Sequence, residues 1–349
     1  MSAAPRRGCS RLSPGDPRHH RRRAAGFVLP VTIVTLAIVA VGVAVMSHRS
    51  DQLRALVLAS RQEQQATVQV HNTVAEALVL MGTRYRRGSR LGEIEIDGRW
   101  YRSAAGTFVR WQDAAGLMSL RRATEPDLQA LLAVLGLPPE QILGLVDSLL
   151  DYADADSLRR LNGAEAADYA EAKLPPPRNA PLVSPMELRR IARWRDLDEA
   201  TLQRVIANTS ITNVGTVNRN TVSAPVLAAL GGTDLITART LLALRPAGAP
   251  VAIESLPNLA GGSFLAAGRF MTLPSPSTLV TVCPASVAWC QALSLTATFD
   301  LGEGPWHVEY SVRMMRTEPL PRADEVQMLP TAAPAAAPEA IRSPFGVIQ

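Results

Sequence analysis

From Phe27 to Met46 the chain holds twenty residues and no charge. A helix rises about 1.5 Å per residue, so this run reaches roughly 30 Å, the thickness of a bilayer's hydrocarbon core. Beyond it, Leu53, Leu56, Val57, Val68, Val74, Leu78 and Met81 recur at helical intervals among Gln, Arg and Glu, with no Pro or Gly until Gly82. The pattern predicts one long helix, its first half in lipid and its second half laid on a soluble domain. The period then falls to two. Ile94 and Ile96 alternate with acids, Asp97-Gly98 is a hairpin signal, and Trp100-Tyr101 and Phe108-Val109 follow. Strands are predicted at 93–97, 99–103 and 107–112.

Helical spacing returns at Thr124, a capping residue with Asp127 three positions on. Leu128, Leu131, Leu132 and Leu135 form an apolar face, and Gly136 ends the helix. Pro138-Pro139 opens another, carrying Ile142, Leu145, Val146, Leu149 and Leu150. After the stiff Pro175–Leu182 loop, Ser184, Pro185 and Glu187 make a capping box for helices at 185–194 and 198–207. Residues 221–260 read as helix, Gly231-Gly232-Thr233, helix, Arg245 and a short helix near 253–259, the order of a helix-hairpin-helix module. From Thr278 alternation resumes in Thr278–Cys283, Leu293–Phe299 and Trp306–Met314. These strands are expected to complete the first sheet, which makes the helical part an insertion. The Pro- and Ala-rich end, 318–349, reads as a disordered tail.

Charge sharpens the picture. The whole chain is +5, but residues 1–26 carry seven Arg and one Asp; the remainder holds 29 basic and 30 acidic residues. That balance gives no general pull toward nucleic acid. The hairpin is followed by Asp234, with only Arg239 and Arg245 nearby, so a DNA-backbone contact there lacks its positive surface. The Arg18, Arg21, Arg22 and Arg23 cluster should stay cytoplasmic and send everything after Ser47 across the membrane. In that compartment disulfides persist, and Cys283 and Cys290 can form one. The five His (His19, His20, His48, His71, His307) sit in no catalytic motif, and no G-x-S-x-G, H-E-x-x-H or phosphate loop is present. An enzyme is not expected.

Seven carboxylate or amide side chains fall between Asp147 and Asp168. An acidic helix end with a solvated loop accounts for them. So does a site for a hard cation such as Ca²⁺, which takes six to eight oxygens.

The N-terminal run is open to three readings: a cleaved secretory signal, an uncleaved anchor, or a prepilin-type leader. Arg23-Ala24-Ala25-Gly26-Phe27 resembles the cleavage site of type IV pilins and pseudopilins. Further motifs resemble the minor pseudopilin K of type II secretion (general secretion pathway protein K). They are Asp113, Gly116 and Leu120 in the 112–120 link, Asp151-Tyr152-Ala153-Asp154-Ala155-Asp156 followed by Gly163-Ala164-Glu165 and Tyr169, Asn179-Ala180-Pro181-Leu182 leading to Ser184 and Glu187, and Asn218-Arg219-Asn220-Thr221. The resemblance implies an α+β, pilin-like fold: a long N-terminal helix and antiparallel sheet with a large all-α insertion. It implies cleavage between Gly26 and Phe27 with N-methylation of Phe27. It implies structural Ca²⁺, with Asp151, Asp154, Asp156, Glu165 and Asp168 as candidate ligands. The boundaries are 1–26 leader, 27–46 membrane half, 47–120 amphipathic helix and first strands, 121–273 insertion, 274–317 remaining strands and 318–349 tail. Expected partners are I- and J-type minor pseudopilins, the major pseudopilin, prepilin peptidase and the bacterial inner membrane, crossed once with a periplasmic C-terminal domain, and no nucleic acid. The family's usual Glu at the fifth mature position is replaced by Val31, which suits a subunit capping the pseudopilus tip and helping to initiate its assembly for export of folded proteins. Two alternatives share parts of the pattern: a minor type IV pilus subunit and a membrane-anchored helix-hairpin-helix DNA-binding protein.

Overall fold

A computed structural model describes residues 28–83, 86–87, 90–244, 270–298, 305–316 and 318–330. The expected leader, Gly26 and Phe27, Arg245 and the helix near 253–259 lie outside the described residues. The chain forms two compact units, 1–61 and 62–349.

Helix α1 is continuous from Val28 to Thr83. Within the first unit its apolar side chains are exposed, and the stretch is long and apolar enough to cross a membrane. Within the second unit its buried face is Ala66, Val70, Thr73, Ala77, Leu80 and Met81. This corrects in part the face predicted from large side chains. Leu53, Leu56, Val57 and Val68 are exposed, whereas the predicted Val74, Leu78 and Met81 do pack on the sheet core, joined by Ala66, Val70, Ala77 and Leu80.

The sheet has strands β1 (Asp97–Arg102), β2 (Phe108–Asp113), β3 (Ser277–Cys283), β4 (Trp289–Ala297), β5 (Trp306–Met315) and β6 (Gln327–Met328), in the order β5-β4-β3-β2-β1-β6. All neighbours are antiparallel except β6, which pairs parallel to β1. Tyr101, Val109, Trp111, Val280, Val282, Leu293 and Leu295 face α1 and form one core with it. Cys283 and Cys290 are bridged beside Phe108, closing the β3–β4 turn. The β6 pairing corrects the predicted tail: through residue 330 the chain is part of the fold, with Leu329 buried in the core and its N–H donating to Arg102 O at 2.8 Å.

The insertion leaves β2 and returns to β3, which are neighbours. It carries α2 (Glu125–Val134), α3 (Pro139–Ala153), α4 (Ala166–Glu171), α5 (Glu199–Ala207), α6 (Ala224–Gly231) and α7 (Leu235–Leu244) around a second core. The predicted helix at 185–194 is replaced by two 3₁₀ turns, Pro185–Arg190 and Trp194–Asp196. Between them Arg193 adopts φ 66°, a left-handed conformation that breaks any helix. A short parallel strand pair, Val217–Asn218 with Phe270–Met271, lies within 121–273, and Thr209–Ser210 pairs with Met118–Ser119 just before it, so the insertion is not purely helical. Helices α6 and α7 meet at 116° across Gly232, which takes φ 62° as a helix-ending glycine does. That is the first half of the helix-hairpin-helix order.

Where the insertion is attached, Asp113 is fully buried. One of its oxygens accepts from Ala115 N (3.2 Å), Ser275 N (3.0 Å) and Ser275 Oγ (2.7 Å). The other accepts from Asn218 Nδ2 (2.7 Å) and Thr221 Oγ1 (2.9 Å). One carboxylate therefore ties the exit of β2, the 218–221 motif and the return to β3. Gly116 packs under Thr221 so closely that a Cβ would overlap its carbonyl oxygen.

Candidate functional site

Helix α3 buries Ile142, Leu145, Val146 and Leu149, which fixes the orientation of its polar side chains. Asp147 and Asp151 are four residues apart and so share one face. Both catch the loop that returns from the helix end. Asp147 accepts from Asn162 N and Nδ2, each at 3.0 Å. Asp151, fully buried, accepts from Arg160 N at 3.1 Å. Gly163 lies flat on the Asp151 carboxylate, where any Cβ would collide with Oδ2. Gly163→Ala is expected to push the loop off Asp151 and lower the melting temperature by several degrees, at a cost of about 1–3 kcal/mol. A thermal melt within a degree of the parent would contradict that packing.

The loop delivers Glu165 to the same place. Its side chain is buried and faces the Asp168 N–H as the reciprocal half of the α4 capping box, but neither oxygen makes a well-formed hydrogen bond. Asp154 Oδ1 is likewise buried and unpaired, and so is Asn179 Oδ1. Asn179 is held from two sides: its N–H donates to Tyr152 O (3.0 Å) and its Nδ2 to Asp156 O (3.1 Å). The remaining candidates differ. Asp156 Oδ1 accepts from Leu158 N at 2.8 Å. Asp168 caps α4, accepting from Glu165 N (2.8 Å) and from Arg159 (2.9 Å). Those donors, the Glu165 N–H first, hold the Asp168 carboxyl below the usual carboxylate range.

The other acids are pushed the opposite way. Burial raises Asp151, and its charged neighbours Asp154 and Asp147 add to this against the opposing Arg160. Burial also raises Asp154, with Asp156 adding, and Glu165, with Asp151 and Asp154 adding. Burying like charges together is costly without a counter-charge. Among the described residues, no group of three His, Cys, Asp or Glu side chains is arranged to hold a metal ion by itself. The unpaired oxygens are nonetheless hard donors only, from Asp154, Glu165 and Asn179, beside Asp151 and the Asp156 main chain. That donor chemistry fits Ca²⁺, which accepts carboxylates, amide oxygens and carbonyls together. Asp151, Asp154 and Glu165 are near enough to disfavour one another's charge, while Asp168 caps α4. Asn179 was not among the sequence candidates. Its signal was the Asn179-Ala180-Pro181-Leu182 motif, which marked a loop and not a ligand.

Residues 109–209, from the middle of β2 to the end of α5, match the family of the type II secretion system (T2SS), protein K. The similarity is confined to this segment of the chain. The acid cluster lies wholly inside it. A solved chain from the crystal structure of the GspK-GspI-GspJ complex of the enterotoxigenic Escherichia coli type 2 secretion system aligns with a TM-score of 0.49 at 18% identity. The alignment covers 73% of this chain and 98% of that one. No curated protein matches the chain significantly. The matched segment begins inside the sheet and includes Asp113 and the loops around Glu165 and Asn179, while the junction partners Asn218, Thr221 and Ser275 lie beyond it.

Proposed function

We propose that this protein is a minor pseudopilin of a type II secretion system that sits at the pseudopilus tip. The observation that carries the reading is the protein K match over 109–209, which starts in the sheet at β2 and runs into the helical insertion. An N-terminal helix with an apolar first half supports membrane anchoring and helix-by-helix assembly. Val31 has no carboxylate to pair with the terminal amine of a subunit stacked ahead, which fits a subunit with nothing above it. Its partners on this reading are I- and J-type minor pseudopilins, and it initiates assembly with them before folded proteins are exported. The acid cluster holds a structural Ca²⁺ through Asp151, Asp154, Asp156, Glu165 and Asn179; Asp168, engaged as a cap, leaves the ligand set. The ion would neutralise the buried carboxylates and fix the loop against the helical core.

Mass spectrometry of the N-terminal peptide tests the processing. After expression with a prepilin peptidase, the mature chain should begin at an N-methylated Phe27. An intact Met1 or a cut after Val45 would rule the leader out. Co-purification with I- and J-type subunits from detergent, absent with a major pseudopilin alone, is the matching test of the tip position.

A further inference from the structure

One cation already stands in the acid cluster. The Arg160 guanidinium lies 3.7 Å from Asp151 Oδ1 and 3.8 Å from Asp154 Oδ2. Both distances exceed a hydrogen bond, so the contact is Coulombic and loose. Arg159, by contrast, meets Asp168 at 2.9 Å with hydrogen-bond geometry. Arg160 spans two of the acids that face the unpaired Glu165 oxygens, yet it satisfies neither Glu165 nor Asp154 Oδ1. Its side chain is 36% exposed, so it can swing into water at little cost. Its main-chain N–H stays on Asp151, so the loop remains pinned when the side chain leaves.

We infer that Arg160 is a built-in counter-ion that holds the cation-free cluster together and must withdraw for Ca²⁺ to enter. The inference rests on the calcium reading above and adds a regulator to the same site. A guanidinium between Asp151 and Asp154 offsets part of their mutual repulsion. Calcium affinity is then set by competition with this arginine as well as by the ligands.

The test compares full-length protein in detergent with Arg160→Gln and Arg160→Lys, by calorimetric Ca²⁺ titration and by melting in EDTA. Removing a positive charge from beside a divalent ion should tighten Ca²⁺ binding roughly tenfold in Arg160→Gln. The same variant should melt lower than the parent in EDTA. Arg160→Lys should keep parent-like affinity. Equal or weaker binding by Arg160→Gln would overturn the inference and make Arg160 a supporting residue. If the parent binds no Ca²⁺ while Arg160→Gln does, the competitor role stands in its strongest form. If neither binds, both the calcium reading and this inference fall.

Discussion

Asp113→Ala is expected to lower the melting temperature of the full chain by roughly 10 °C or more, the largest effect of any single substitution considered. The carboxylate is fully buried and accepts from five neutral donors on three separated segments. Alanine would take the acceptor from Asn218 Nδ2 and Ser275 N, and would leave Ser275 Oγ and Thr221 Oγ1 only their second acceptors, Ser277 O and Asn218 O. Unsatisfied buried donors cost about 1–3 kcal/mol each, and a cavity adds to that. Relaxation and water entry reduce the sum, so about 4 kcal/mol is a fair expectation, which corresponds to roughly 10 °C for a domain of this size. Asp113→Asn keeps the volume but turns an N–H₂ toward groups that themselves donate, so it should fall between alanine and the parent. The junction also predicts where the damage appears. Hydrogen exchange should rise first at 217–223 and 272–278, where the insertion closes, and the α1–sheet core should open later. An alanine variant that melts within 2 °C of the parent would show that the hub is not what fastens the insertion to the sheet.

The elements on either side of that hub were largely legible, and the hub was not. Thr124 with Asp127 and Ser184 with Glu187 announced their helix starts, because a cap is written within four residues. Alternation located β1, β2 and β3 for the same reason. The bonds from Asp113 to Asn218 and Ser275 span 105 and 162 positions, and no local pattern encodes a partner at that distance. The motifs at 113–120 and 218–221 could be recognised separately, but only the fold shows that they are the two sides of one joint. Small residues caused the second miss. Ala66 and Ala77 fill the α1 interface, yet they carry no strong hydrophobic signal, while the conspicuous Leu53 and Leu56 face solvent. β6 was hidden in a Pro- and Ala-rich segment, since two residues of parallel pairing leave no periodicity. In the candidate site the acid density marked the stretch in which Asp151, Asp154 and Glu165 lie, not what each of them does. It could not separate Asp168, which a local N–H claims, nor find Asn179 and Arg160, which arrive by tertiary folding.

Calcium removal should produce the second large effect. If the cluster holds Ca²⁺, full-length protein in detergent should melt higher in saturating Ca²⁺ than in EDTA. At a free concentration of about 100 times Kd the ion contributes about 2.7 kcal/mol, which is roughly 5–10 °C here. Glu165→Gln separates an ion effect from general stabilisation, because its two arms move in opposite directions. In EDTA the parent buries a Glu165 carboxylate that burial and the neighbouring Asp151 and Asp154 all disfavour. Glutamine removes that charge, so the cation-free variant should melt at or above the parent. With Ca²⁺ the variant has lost a ligand charge and should gain little, so the difference between Ca²⁺ and EDTA should shrink to a few degrees or vanish. Asp168→Asn is the control. Asp168 caps α4 and meets Arg159, so its variant should melt lower in both conditions while keeping the full calcium difference. Identical melts of the parent in Ca²⁺ and EDTA would remove the metal from the account. The buried oxygens of Glu165 and Asp154 would then require protons or ordered water in place of an ion.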